Sequence, residues 1–311
     1  MAATLPGPPR DYGALAWDPS RERLLAGTIR EGKLLAVADD GSTEVLLQAG
    51  DDNGLWSITG LAVDVERERL WIASAASPDF GAFSPADQNR SALFEFDLGT
   101  LQRVGQSYVP VDALQHRLGS VAVTGGGEVY VIDTGTPIVY RKASGENRLE
   151  AFVASNQLVG FSDLAVMPDN SRLFAADPVM GVFVVDPKAQ QAALLGGPEN
   201  LNLAGIGGIE FADGHLFIVQ GGITPQRLLR LKLDDTGSVA AEVSPMAIAL
   251  EPFDGPRLST IRGSDLYYFA NQGSGSAEAG AIIMRTALDA GSSIQPPDLE
   301  QLERALQPSS R

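Results

Sequence analysis

The chain has 311 residues, 44% of them hydrophobic and 20% charged, with 34 Gly and 19 Pro, a composition suited to a globular protein of many short elements joined by turns. Its 23 Lys and Arg stand against 39 Asp and Glu, and the resulting formal charge of −16 repels phosphate backbones and anionic bilayers, so neither nucleic acid nor membrane is an expected partner. The absence of Cys excludes disulfides, thiolate catalysis and cysteine-held metals, and no apolar run approaches the ~20 residues that cross a bilayer.

From the N-terminus, MAATLPGPPR lacks the basic and apolar regions of a secretory signal. A cytoplasmic location is expected for the chain as it stands, and a periplasmic or secreted one only if a signal has been removed. The first patterned segment, LAWDPSRERLLAGT at 15–28, returns as LAVDVERERLWIAS at 61–74 with seven of fourteen positions identical. Four more copies follow: VAVTGGGEVYVID from Val121, LAVMPDNSRLFAAD from Leu164, IEFADGHLFIVQ from Ile209 and LSTIRGSDLYYFAN from Leu258. Each pairs a short apolar run with a polar turn and a β-branched or aromatic run, the signature of a β-hairpin.

Every hairpin precedes a third apolar segment (KLLAVAD, ALFEFDL, TPIVYRK, GVFVVDP, RLLRLKL, AIIMRTA), and most precede a fourth, such as TEVLLQ, RVGQSYVP and RLEAFVA. Four strands at this period make a propeller blade, and one blade cannot cover its own faces. The sequence therefore predicts an all-β fold, a six-bladed β-propeller over residues 11–291. Residues 1–10, with a short segment around Ala3–Leu5, are the candidate to complete a sixth blade that lacks an obvious fourth strand. Residues 292–311 are expected to carry a short C-terminal helix in PPDLEQLERALQ, with Leu299, Leu302 and Leu306 on one face.

In a propeller, the loops between blades and those between second and third strands share one face, around the mouth of a central channel. The inter-blade loops bring Asp51, Asp52 and Asn53, then His116, Arg117 and Ser120, then Ser162 and Asp163, then Asn200 and Asn202 to that face. The ends of the second strands add Asp133, Asp177, Gln220 and Asn271. Asp133 and Asp177 recur at a turn position where a carboxylate bonds backbone amides, so a structural role is expected for both. The binding set is Asp52, Asn53, Arg117, Ser120, Ser162, Asn202, Gln220 and Asn271. Asp163 and His116 are the catalytic candidates: His116 is the one imidazole placed to act as acid or base, because His215 sits in a hairpin turn on the opposite face. The second repeat carries extra length at 77–90, SPDFGAFSPADQNR, expected to lean over the mouth as a lid or to form a surface insertion.

Sharper motifs are absent: no G-x-S-x-G elbow, P-loop, zinc-type histidine pair or dinucleotide fingerprint. GIGGIE at 205–210 enters a strand, not a helix, so it forms no amide-lined anion site. DQNRS at 87–91 opens like a calcium loop, but Ala92 stands at the required Gly and Leu98 at the bidentate Glu. Asn89-Arg90-Ser91 is formally a glycosylation sequon, relevant only in a eukaryotic secretory route.

GALAWDPSRERLLAG, FSDLAVMPDNSRLFAADPVMG, GIGGIEFADGHLFIVQGG, VYVIDTGTPIVYR and FDGPRLSTIRGSDLYYFANQG together resemble the regucalcin and gluconolactonase family of six-bladed propellers over nearly the whole chain, with wider kinship to strictosidine-synthase-like proteins. The resemblance implies calcium or another divalent cation at the channel mouth, held by a Glu, an Asn and an Asp before the first, fourth and fifth inner strands, polarising a lactone carbonyl. The Glu position falls here on Gly13, the Asn position on Ser162 with Asp163 beside it, and the Asp position on Gly207-Gly208. A further substrate-contacting Asn falls near Gly119 or Ser120. Calcium takes about six to eight oxygens, and two of these three positions have no side chain. Two readings follow: a propeller that binds a small molecule or partner at the mouth without the family's metal ligands, or a hydrolase of small lactones or esters using Asp163, Asp52 and His116.

Overall fold

The hairpins form because their turns are chemically specified. In the first two repeats, buried Asp18 accepts from the Ser20 amide and pairs with Arg23 at 3.1 Å, while buried Asp64 accepts from the Arg67 amide and its guanidinium. Glu22 and Glu68 occupy the same left-handed position, φ 50° and 54°. In the fifth repeat Asp213-Gly214, with φ 47° and 74°, supplies the two positive-φ residues of a tight hairpin turn. The shared spelling of the first two repeats is thus one turn made twice.

The computed structural model describes residues 2–50, 52–110, 112, 114–154, 159–273, 280–291 and 293–294. Six antiparallel sheets follow one another in chain order. Their inner strands are Tyr12–Asp18, Ser57–Asp64, Leu118–Val123, Asp163–Val166, Ile206–Ala212 and Arg257–Arg262, and three further strands step outward from each. The inner strands neighbour one another in a closed ring, the first touching the sixth. Blade five gains an added strand, Ser293–Ile294, running parallel to Ala240–Ile248. The predicted C-terminal helix and Asp51 lie outside the described residues.

The ring is closed by Ala3–Leu5, which pairs antiparallel with Ala281–Ala287 as the outer strand of blade six. Pro6, Pro8 and Pro9 fall after the strand, so no ladder donor is lost. Leu5, 1% exposed, fills the seam between blades six and one.

Apolar side chains collect into six clusters, one per blade interface. Phe94, Ile58 and Leu70 fill the first, and Tyr268, Phe217 and Leu266 the fifth. Because strand side chains alternate between faces, each sheet feeds both neighbouring clusters, and no blade buries its surface alone.

Candidate functional site

The inner strands enclose a central channel of about 870 Å³, within the range of small-molecule sites. Its lower part is apolar. Trp17, Val63, Val123, Val166, Phe211 and Ile261 are each half-buried and line the lumen. They occupy one equivalent position per blade, cross-strand from Leu24, Leu70, Val129, Leu173, Leu216 and Leu266.

Toward the mouth the lining turns polar. Register irregularities at this end of five inner strands, at Tyr12/Ala14, Ile58/Gly60, Leu118/Val121, Ile206/Gly208 and Arg257/Ser259, re-aim the residues there. Several side chains in this layer stitch adjacent blades. Thr59 Oγ1 donates to the Leu118 carbonyl at 2.6 Å and Gln272 Nε2 donates to the Tyr12 carbonyl at 3.1 Å, while nearer the apolar ring Thr260 Oγ1 accepts from the Trp17 amide at 3.1 Å.

Asp163 is such a stitch. Its Oδ1 accepts from the Leu164 amide at 2.9 Å and its Oδ2 from the Ile209 amide of blade five at 2.7 Å. Burial pushes its carboxyl up to about 6, opposed by bonds from the Ser120 side chain and these amides and by the charge of Arg257. Glu210, half-buried on the lumen, is raised well above the usual carboxylate range by desolvation and then by the Asp163 charge. The nearby Ser259 hydroxyl offsets part of that rise, although its Oγ forms no well-directed hydrogen bond.

Beside these carboxyls stands Arg257. It pairs with Phe269, which puts it level with Asp163, opposite Ala176, and Gly208, opposite Val219. The inner strands crowd its guanidinium while the lumen keeps it wet, and this crowding lowers its pKa, with Asp163 raising it and Arg117 and Arg10 lowering it further. It forms no hydrogen bond or ion pair with a described residue. Arg10 and Arg117 line the same mouth. The Arg10 Nε donates to the Gly273 carbonyl at 2.7 Å, and Arg117 stands 3.9 Å from Asp79.

Of the three positions implied for metal ligands, Ser162 lines the channel, whereas the two glycine positions are closed to any side chain. A Cβ on Gly13 would stand 2.3 Å from the Ile29 side chain and 2.5 Å from the Ile58 carbonyl; on Gly207 it would stand 2.7 Å from Arg257 Cβ and 3.0 Å from the Pro256 carbonyl. Among the described residues no group of three or more His, Asp or Glu is placed to share an ion. With a single carboxylate, each of whose oxygens already accepts an amide, and a guanidinium alongside, this donor set falls short of the oxygens a divalent cation needs.

Of the residues singled out in the sequence, Asp163, Ser162, Ser120 and Arg117 line the channel, whereas His116, Asp52, Asn53, Asn202, Gln220 and Asn271 do not. His116, 5% exposed, is clasped between Asp133 at 2.6 Å on Nδ1 and Asp112 at 3.1 Å on Nε2. Asp133 also accepts from the Arg117, Gly135 and Thr136 amides. Asp177 accepts from the Val159, Gly160, Val179 and Met180 amides. Burial pushes its carboxyl up, but those four bonds hold it below its usual value. Asn53 caps its own turn, accepting from the Gly50 and Leu55 amides. Asn202 bonds the Ala204 amide, and Asp52 is exposed. Gln220, fully buried, donates to the Asn202 and Ala204 carbonyls. Asn271 ties Gly280 to Ile282. The 77–90 loop is anchored by Phe80 in the cluster between blades one and two and by Arg90 over Trp56; none of its residues lines the lumen, and only Asp79 approaches it, through Arg117.

Glu210, Arg257 and Arg10 were not anticipated. Glu210 was visible: LAWD, LAVD, VAVT and LAVM have Ala where IEFA has Glu. No known family model matches the sequence, and no curated protein does. Solved structures do. A gluconolactonase from Xanthomonas campestris aligns with a TM-score of 0.63 at 15% identity, over 91% of this chain and 88% of that one. Regucalcin from Agrobacterium tumefaciens, described as a calcium-binding protein, aligns at 0.63 with 16% identity, over 93% and 98%. A PQQ-bound aldose sugar dehydrogenase from Streptomyces coelicolor aligns at 0.61 with 15% identity, over 92% and 96%. The likeness is one of architecture: this chain is a six-bladed propeller built like those of gluconolactonase and regucalcin.

Proposed function

We propose that this protein binds a small molecule at the mouth of its channel without a divalent metal, rather than hydrolysing lactones or esters through one. The observation that carries this reading is the mouth itself. Where the gluconolactonase and regucalcin resemblance calls for ligand side chains, Gly13 and Gly207 leave no room for any, and Arg257 occupies the adjoining space. A shared propeller does not transfer a reaction whose metal-binding groups are missing. Asp163 serves as a link between blades, its oxygens spent on two amides, rather than as a free base. The channel volume and its division into a polar mouth and an apolar lower ring suit a small organic ligand. The charge of −16 argues against nucleic acid and anionic membrane as partners.

The test is a calorimetric titration with calcium, a turnover assay on a panel of lactones, and a thermal-shift screen of small molecules. The expected result is neither calcium uptake at stoichiometric levels nor turnover, together with small-molecule stabilisation that Val63→Trp, which plugs the lumen, abolishes. Tight calcium binding with lactone turnover that stops on chelation or in Asp163→Ala overturns the proposal.

A further inference from the structure

We infer that the ligand of this channel is a small organic carboxylate with an apolar body, its charged head held by Arg257 and its body lying against the lower ring; the inference rests on the small-molecule reading above. The head is assigned from charge. The chain carries −16 overall, yet the mouth gathers Arg10, Arg117 and Arg257 against two carboxylates, Asp163 in the same layer and Asp79, which stands 3.9 Å from Arg117. Asp163 is committed to the Leu164 and Ile209 amides and accepts no hydrogen bond from Arg257. Glu210 lies one step deeper on the lumen and forms no ion pair with Arg257. Arg257 thus presents its planar fork to the lumen with no described partner. Such a fork matches a carboxylate bidentately.

The body is assigned from the register. Arg257 pairs with Phe269 and Ile261 with Leu266, three ladder steps apart because Leu258 is the extra residue of a bulge, and Ile261 lies in the apolar ring with Trp17 and Phe211. At ~3.3 Å per residue this distance is roughly 10 Å. A ligand about 8 Å long therefore reaches from the guanidinium to the ring.

The experiment uses three probes on the full chain: 3-phenylpropionate, the neutral 3-phenylpropanol with the same body, and acetate with the head alone. Binding is followed by calorimetry and by fluorescence, with Trp17→Phe identifying the lumen signal. The acid is expected to bind about 10- to 100-fold more tightly than the alcohol, the range of a charge-assisted hydrogen-bond pair, and acetate more weakly than the acid. Arg257→Gln is expected to remove the preference for the acid, whereas Arg90→Gln, over Trp56 and outside the lumen, keeps it. A folded state equal to the wild type in thermal denaturation validates each variant, and Arg117→Gln substitutes if Arg257→Gln does not fold. Equal binding of acid and alcohol overturns this inference while leaving the small-molecule reading intact, as does an acid preference that survives loss of the arginine. No binding of any probe up to about 10 mM overturns it as well, and the wider screen then decides the reading beneath it.

Discussion

Replacing Gly207 by Ala tests whether glycine at the mouth exists to make room for Arg257. A Cβ at this position would lie 2.7 Å from Arg257 Cβ and 3.0 Å from the Pro256 carbonyl, against the ~3.5–4.0 Å of an unstrained carbon contact. Both obstacles belong to the adjoining strand and its entry, so no flexible side-chain end can swing away; blades five and six must separate by roughly 1 Å. Overpacking of this kind costs about 1–3 kcal/mol. Urea denaturation of wild type, Gly207→Ala, Arg257→Gly and the double variant measures it. Deleting the Arg257 side chain removes the closer obstacle and leaves the carbonyl, so the alanine should cost less in that background, with a coupling of at least about 1 kcal/mol. A neutral Gly207→Ala, or costs that simply add, would refute the argument that the two positions share one space.

Closure of the ring predicts that Leu5→Ala, at a site 1% exposed between blades six and one, lowers stability by about 2–5 kcal/mol in the same assay. Val104→Ala, 53% exposed on an outer strand, should change it by less than about 0.5 kcal/mol. Because the folded-state pKa of Asp163 is raised to about 6, folding favours its protonated form; the stability this contributes is full below its unfolded value near 4 and lost as pH rises through 6. Asp163→Asn lacks this dependence, so stability of the wild type relative to the variant should fall by about 3 kcal/mol between pH 4 and 7, and parallel pH profiles would contradict the assignment. Asp133→Ala strands three amides and the His116 ring, and a loss of about 3 kcal/mol is expected; a change below 1 kcal/mol would show the clasp to be unimportant.

The blades were legible because each repeat spells its hairpin locally, through an Asp-led turn and alternating strands. The closing strand was harder to read: three residues, Ala3–Leu5, carry almost no periodicity, and their partner lies at the other end of the chain. Loop asparagines misled for a physical reason. Asn53, Asn202 and Asn271 do sit in the loops at the mouth face, but each spends its amide group on nearby backbone, a use that position in sequence does not reveal. Arg257 was hidden by a bulge. In the sequence the sixth hairpin begins at Leu258, whose φ of 54° marks an extra residue in the strand, and Arg257 therefore reads as loop although it pairs with Phe269. Glu210 was the missed signal, one acidic residue in a column of alanines.

The most direct test of the central claim is a crystal structure of the protein soaked with calcium and 3-phenylpropionate together. The account predicts a carboxylate on the Arg257 guanidinium, an aromatic ring beside Trp17 and Phe211, and no ion within bonding distance of Asp163. A calcium ion coordinated by Asp163 and Ser162, with Arg257 turned out of the lumen, would contradict it.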